Sequence, residues 1–436
     1  MPTRSPTMFR ALRHHNYRLW AGADLVSITG TWMQVLGVNW LILSLTGSAT
    51  SVGLSLVMQA LPTLLLGMWG GALADRLPTR PVVIAAQIAQ AGLAAVLAAL
   101  ALSGSASIWP LYAVALAGGV VSALHGPALG RFGAEVVPPQ DLPNAMALGS
   151  IVNSAGRILG MSLAGVLLPF TGNGGLFLVN TATFFVVIGA VLAMRREEFH
   201  QLTAAERRPG AVVEGLRYVL RTPWLLVVLA LSFVLGSVGR NYQVTMAAMS
   251  AGPLAAGGGG YGLLSTVFAI GTVIGGVLAA ARPRLTLRLL LVTAFLTGVL
   301  QALSGLMPGL ATFAGAMLPI AAGAVIIDTT VAARVQIDSP DEMRGRVIAA
   351  LGMVGAGAGA LGGPVLGWLS DSLGPRAALE IGGVSCVAVT LLTAVGLARL
   401  SGRTIRQAAC RRPSWRTPDG TPRSRAGAHQ PSLENA

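Results

Sequence analysis

Apolar positions along this chain come in about twelve long runs, each separated from the next by a short polar gap. The runs show neither the period-two alternation of strands nor the single apolar stripe of a soluble helix. Each is close to the 20 or so residues that a helix needs to cross a hydrocarbon layer. They predict helices near 19–45, 51–74, 81–102, 108–129, 144–168, 175–194, 223–247, 260–281, 286–304, 309–332, 347–370 and 377–398. Glycine is frequent inside the runs, with 56 in the chain. In lipid that reads as close helix–helix contact and not as breakage. The fold class predicted is an all-α membrane protein of 12 transmembrane helices.

The gaps divide the chain. Residues 195–222 (RREEFHQLTAAERRPGAVVEGLRYVLRT) form the longest internal polar stretch and separate six runs from six. The predicted organisation is an N-terminus over 1–18, a six-helix bundle over 19–194, a linker over 195–222, a second six-helix bundle over 223–398 and a tail over 399–436. Within the linker, Val212 to Leu220 has an amphipathic pattern and is expected to lie along the membrane surface. The tail has eight arginines and little apolar content, a composition that favours disorder. The two halves repeat. Pro139, Asp141 and Leu142 correspond to Pro340, Glu342 and Met343 at an offset of 201, Gly160 and Gly165 to Gly362 and Gly367 at 202, and Gly70-Gly71 and Pro78 to Gly275-Gly276 and Pro283 at 205. Three groups at nearly one offset argue for duplication of a six-helix unit. Parallel repeats of that kind build transporters whose substrate site lies between the halves.

Charge then orients the chain. Its 30 basic residues are all arginine, and all but Arg157, Arg240 and Arg376 fall at the termini or around alternate gaps. Cytoplasmic loops carry this excess, so both termini and the arginine-bearing gaps are predicted to face the cytoplasm. The net charge of +14 is accordingly a topology signal. Anionic lipid headgroups are its expected partner, and nucleic acid is not. With 53% hydrophobic and 11% charged residues, the chain has too much apolar surface for a soluble core and no room for a separate catalytic domain. Cys386 and Cys410 have no metal spacing and no expectation of a disulfide. The first 18 residues lead into a run too long for a signal peptide. Abundant Ala, Gly and Arg without Lys fit a bacterial source, and the predicted location is the bacterial inner membrane.

The segment Gly71-Ala-Leu-Ala-Asp75-Arg76-Leu-Pro-Thr-Arg80 resembles the loop signature of the major facilitator superfamily, with Pro78 and Thr79 where Gly and Arg are usual. Asn16-Tyr-Arg-Leu-Trp20 with Gly30-Thr-Trp-Met-Gln34, Glu135-Val-Val-Pro-Pro-Gln-Asp-Leu142 and Pro340-Asp-Glu-Met-Arg-Gly-Arg346 are similar to its enterobactin-exporter-like branch, also described as transmembrane secretion effectors. The resemblance covers about residues 9–398. It implies the major facilitator fold, with two pseudo-symmetric six-helix bundles. It also implies a cytoplasmic gate of Gly71, Asp75, Arg76, Arg80, Glu135, Arg344 and Arg346, whose contacts form and break as the halves rock. In that reading Asp75 lies against the N-terminus of helix eleven, where the helix dipole favours an anion, and Arg76 or Arg80 pairs with Glu135 or Asp141. The bland alternative is a surface turn with solvated charges. Gly355, Gly359, Gly363-Pro364 and Gly367 resemble the glycine–proline pattern of the superfamily's antiporters; helix five carries Gly160 and Gly165 without the proline.

Charges inside the runs must face protein or water. Arg157 lies at mid-run and shares a helical face with Ser150 and Asn153. It can hold an anionic substrate, orient a carboxylate or pin neighbouring helices. Asp24, Ser27, Thr31 and Gln34 recur at steps of three, four and three, a stripe expected to face the central cavity. Asp24 is the candidate for proton coupling, against an interfacial carboxylate paired with Arg18 or another loop arginine. Arg240 and Asn241 line the outer pathway, or Arg240 snorkels. Asp328 and Glu380 read as interfacial, and His125 as structural. The leading expectation is a monomeric secondary transporter without cofactor, exporting a small amphipathic molecule such as a siderophore, an antibiotic or a related natural product, with protons as coupling ion. The alternatives are a nutrient importer or uniporter of the same fold, and a membrane sensor or scaffold. No HExxH, GxSxG or paired-carboxylate arrangement in the runs speaks for an enzyme.

Overall fold

A backbone in hydrocarbon must pair its own amides and carbonyls, so each apolar run folds as a helix. The computed structural model describes residues 9–200, 217–239, 241–282 and 284–400, and all regular structure among them is helical. The predicted tail from residue 401 and residues 201–216 of the linker lie outside the described residues, as does Arg240; of the expected amphipathic segment Val212–Leu220, only 217–220 are described, and they are helical. The helices are α1 (His15–Thr46), α2 (Ala49–Arg76), α3 (Thr79–Leu102) and α4 (Ile108–Glu135), followed by the stretch Leu142–Ala193. That stretch breaks at Gly172 into α5 (142–171) and α6 (173–193). They continue with α7 (Pro223–Val234), α8 (Tyr242–Ala251), α9 (Gly257–Ala280), α10 (Leu287–Ser304), α11 (Leu310–Asp338), α12 (Asp341–Leu373) and α13 (Pro375–Leu400). Eleven stretches are long and apolar enough to span a membrane. One of them, 55 residues long and broken at Gly172, makes two crossings, so the described residues provide twelve.

Two expectations about the runs change. The gap predicted over 169–175 is not a loop. The helix runs through Pro169 and turns at the single residue Gly172 (φ 62°, ψ −176°), a left-handed φ that favours glycine. Crossing seven is not one helix. A π-helical turn over Leu235–Gly239 separates α7 from α8. The break leaves carbonyls unpaired, and the Asn241 side-chain amide donates to those of Gly236 (3.2 Å) and Ser237 (2.9 Å).

The repeated glycines occupy equivalent crossings in the two halves. A Cβ on Gly160 would strike the Thr29 carbonyl of α1, and one on Gly362 the Ser237 carbonyl of crossing seven. Gly70 lies against the Ala123 carbonyl of α4, and Gly275 against the Ala322 carbonyl of α11. Two further contacts join the halves: Gly165 of α5 meets Gly262 of α9, and Gly367 of α12 meets Ala49 and Thr50 of α2. Backbone contact at these points requires residues without side chains.

Packing differs between the two ends of the molecule. At the arginine-poor end one buried cluster draws on both halves, joining Met33, Leu36 and Ile42 of α1 and Phe177 of α6 to Met246 of α8, Tyr261 of α9 and Phe313 of α11. At the arginine-rich end the clusters are separate. One holds Tyr17, Phe132, Leu148 and Val191 of the first half, the other Trp224, Leu290, Val335 and Val347 of the second. The cores of the two halves are therefore joined at the arginine-poor end, and each half keeps its own core toward the other.

Candidate functional site

A cavity of about 270 Å³ lies inside the first half, among α1, α2, α3, α4 and α6. Asp24, Ser27, Thr31 and Gln34 all line it, so helical spacing did bring the predicted stripe to one surface. That surface faces the interior of the first bundle. No described residue of the second half lines the cavity, which revises the expectation of a stripe facing the space between the halves. Gln59, Gln87, Gln90, Ser122, His125 and Asn180 add polar groups, and Trp20 and Phe184 add aromatic walls. Gln34 accepts a hydrogen bond from the Asn180 amide at 2.8 Å. The Asp24 carboxylate has no hydrogen bond or ion pair among the described residues, and Arg18 is not its partner.

Arg157 is elsewhere. From the middle of α5 its guanidinium donates to the Thr272 hydroxyl of α9 and lies 5.8 Å from the Trp32 ring of α1. Thr272 is buried and donates in turn to the Ala269 carbonyl (2.6 Å), leaving its lone pairs for the arginine. Nε of Arg157 has no partner. The side chain thus links the two halves at mid-depth, outside the cavity. Asn153 on the same helix face is exposed.

The signature residues lace the arginine-rich end of the first half. Arg80 does not pair with Glu135 or Asp141; its guanidinium caps α6 through the carbonyls of Val191 (2.9 Å) and Leu192 (3.1 Å), which a helix end leaves open. Glu135 accepts from Arg131, one turn away on α4 (2.9 Å), and from the Thr79 hydroxyl. Asp141 binds Arg10 at 2.6 Å and His14 at 2.8 Å. Asn16 and Arg195 exchange two hydrogen bonds, of 2.8 and 2.9 Å, between the start of α1 and the end of α6. The Tyr17 hydroxyl donates to the Ala145 carbonyl at 2.7 Å. Arg76 is exposed. In the second half, Arg344 donates to the Gln336 carbonyl (3.0 Å) and Arg346 to the Met343 sulfur (3.2 Å). Gly71 and Asp75 lie on α2, and the Asp75 side chain is outside what the structure describes.

The structure adds a site residue that the sequence reading passed over. Asp371, near the arginine-poor end of α12, accepts from the Ala49 amide (2.7 Å), the Thr50 amide (3.0 Å) and the hydroxyls of Ser48 (2.7 Å) and Thr50 (2.6 Å). It caps the N-terminus of α2 from the opposite half, where unpaired amides and the helix dipole favour an anion. It fell in a predicted loop, and only its place opposite a helix start distinguishes it from any loop aspartate. Asn241 is occupied with the break in crossing seven, Asp328 is exposed, and Glu380 lies beside Gly305.

Comparison with known proteins adds to this geometry. The model of the family described as "Transmembrane secretion effector" matches residues 6–416. The uncharacterised MFS-type transporter YfiS of Bacillus subtilis (strain 168) is 25% identical over 395 residues, covering 86% of this chain and 91% of YfiS. Macrolide efflux protein A of Streptococcus pyogenes is 23% identical over 307 residues, 67% of this chain and 73% of that protein. Among solved structures, the nucleoside transporter NupG superposes with a TM-score of 0.71 at 12% identity, over 88% of this chain and 99% of NupG. The fold is shared.

Proposed function

This chain belongs to the transmembrane secretion effector family of major facilitator transporters, and on that premise we propose that it exports a small amphipathic molecule by proton-coupled alternating access across the bacterial inner membrane. The observation that carries the reading is the asymmetry of packing: one core shared by both halves at the arginine-poor end, two separate cores at the other. With the arginine-rich end and both termini in the cytoplasm, as the arginine distribution favours, the end with separate cores is the one that opens to take up substrate from inside the cell. The efflux activity named for the streptococcal relative favours export.

In this reading Asp24 carries the proton, since it is an unpaired carboxylate on a cavity wall. Arg157 is the contact about which α5 and α9 tilt. In the opposite state Gly71, Asp75, Arg76, Arg80 and Glu135 close against the start of α12 near Arg344 and Arg346, while Asp371 lets go of α2. Anionic headgroups hold the arginine-rich face.

The test is expression in an efflux-deficient bacterial host challenged with a broad compound panel, followed by proton release from everted vesicles on addition of the compounds that register. Wild type is expected to protect against one chemical class and to release protons with it, and Asp24→Asn to release none. Accumulation in intact cells in place of depletion would make the protein an importer. Equal proton signals from wild type and Asp24→Asn would remove Asp24 from the coupling.

A further inference from the structure

The cavity of the first half holds unpartnered hydrogen-bond acceptors and a negative charge. Among the described residues no arginine lines it, and Asp24 is its one acidic residue. Gln87 also lines it and is 6% exposed, yet its side-chain carbonyl has no hydrogen-bond partner. At His125, Nδ1 lies 2.8 Å from the Val121 carbonyl. A carbonyl only accepts, so the proton sits on Nδ1, and Nε2 of the neutral ring is left with a lone pair.

These three acceptors come from three helices. Asp24 is nine residues from the His15 start of α1, Gln87 eight from the Thr79 start of α3, and His125 ten from the Glu135 end of α4, all counted from the arginine-rich end. At 1.5 Å per residue, their offsets from those helix ends differ by at most about 3 Å, and all three line the one cavity. The neighbouring amides of Gln34, Gln59 and Gln90 supply donors as well as acceptors, but amides do not neutralise a carboxylate. Ile28, Leu93, Val114 and Phe184 provide apolar wall, and Trp20 an aromatic face of the kind that attracts cations.

A group suited to this surface is positively charged, donates several hydrogen bonds and accepts none. A protonated amine has those properties. We propose that the cavity binds the ammonium headgroup of an amphipathic amine, with Asp24 as counter-ion and Gln87 and His125 as further acceptors. The proposal rests on the transporter reading and names the substrate class of its first-half cavity. It also assigns the charge preference to Asp24 in place of Arg157, whose guanidinium is committed to Thr272 and Trp32 outside the cavity.

The test uses the full chain in lipid nanodiscs, with empty nanodiscs as blank, and equilibrium dialysis of radiolabelled 4-phenylbutylamine at neutral pH. 4-Phenylbutanol and 4-phenylbutyrate carry the same tail with a neutral and an anionic head. The amine is expected to bind about tenfold or more tighter than the alcohol, the gain of a charge-assisted contact, and the carboxylate is expected not to compete. Asp24→Asn should abolish the preference, Asp24→Glu should keep it, and Gln87→Leu should weaken the amine several-fold while leaving the alcohol unchanged. Absence of saturable amine binding, competition by 4-phenylbutyrate, or an unchanged preference in Asp24→Asn would each overturn the proposal. Binding requires no turnover. An amine preference without flux in vesicles therefore refutes export alone, and flux without an amine preference refutes the cavity assignment alone.

Discussion

Arg157 places a permanent charge at mid-depth, where an unsatisfied arginine costs at least about 2.5–3.5 kcal/mol. The structure offsets that cost with the Thr272 hydroxyl and the Trp32 face. Arg157→Ala removes both of these contacts, and Thr272→Val removes the acceptor while keeping the shape. Each is expected to weaken the union of the halves by about 1–2 kcal/mol, read as a lower midpoint of thermal unfolding in detergent, with less than additive loss in the double variant. Full additivity would mean that the two residues act independently. Asp371 is the opposite case. Its carboxylate gathers four donors from the start of α2, and Asp371→Asn replaces an anion at a helix N-terminus with a neutral amide, a change of about 1 kcal/mol. Arg157 was legible in the sequence because a charge inside an apolar run has no ordinary explanation. Asp371 was not, because an aspartate in a gap has many, and its partner lies more than 300 positions away.

Gly70 and Gly275 stand at equivalent contacts, each against a carbonyl of the helix two crossings further on. Gly70→Val and Gly275→Val are expected to destabilise by similar amounts, about 1–3 kcal/mol each from overpacking, as measured by unfolding of the two variants side by side. A penalty at one position alone would contradict equivalence of the halves. Helix number and approximate position follow from run length, since lipid leaves a spanning segment no alternative pairing. The helix ends were less legible. α4 continues to Glu135 and α12 begins at Asp341, beyond the apolar runs predicted over 108–129 and 347–370, because backbone pairing continues into the polar headgroup region after hydrophobicity has stopped. The breaks at Gly172 and Leu235–Gly239 lie in segments whose composition resembles that of unbroken helix, so hydropathy does not reveal them.

For the whole molecule, the joined and separate cores make a directional prediction. With the native cysteines replaced, spin labels at Gln140 and Gln336 report separation at the arginine-rich end, and labels at Thr46 and Ala251 report it at the arginine-poor end. Asp371→Asn is expected to shorten the first distance distribution and lengthen the second in pulsed electron resonance, since it weakens the cap that joins α12 to α2. Unchanged distributions would show that the cap does not bias the halves. The membrane location, the number of crossings and the repeat could all be read from the linear order of residues. Each depends on local composition and periodicity, and lipid converts those directly into helices. The alignment of Asp24, Ser27, Thr31 and Gln34 was equally readable, because they share one helix. Which space that stripe faces was not, nor was the cavity in which Gln87 and His125 join Asp24, the commitment of Arg157 to Thr272, or the end at which the cores of the halves join. Those depend on how separate helices pack, and helices joined by short loops can rotate and tilt against one another without any change in hydropathy.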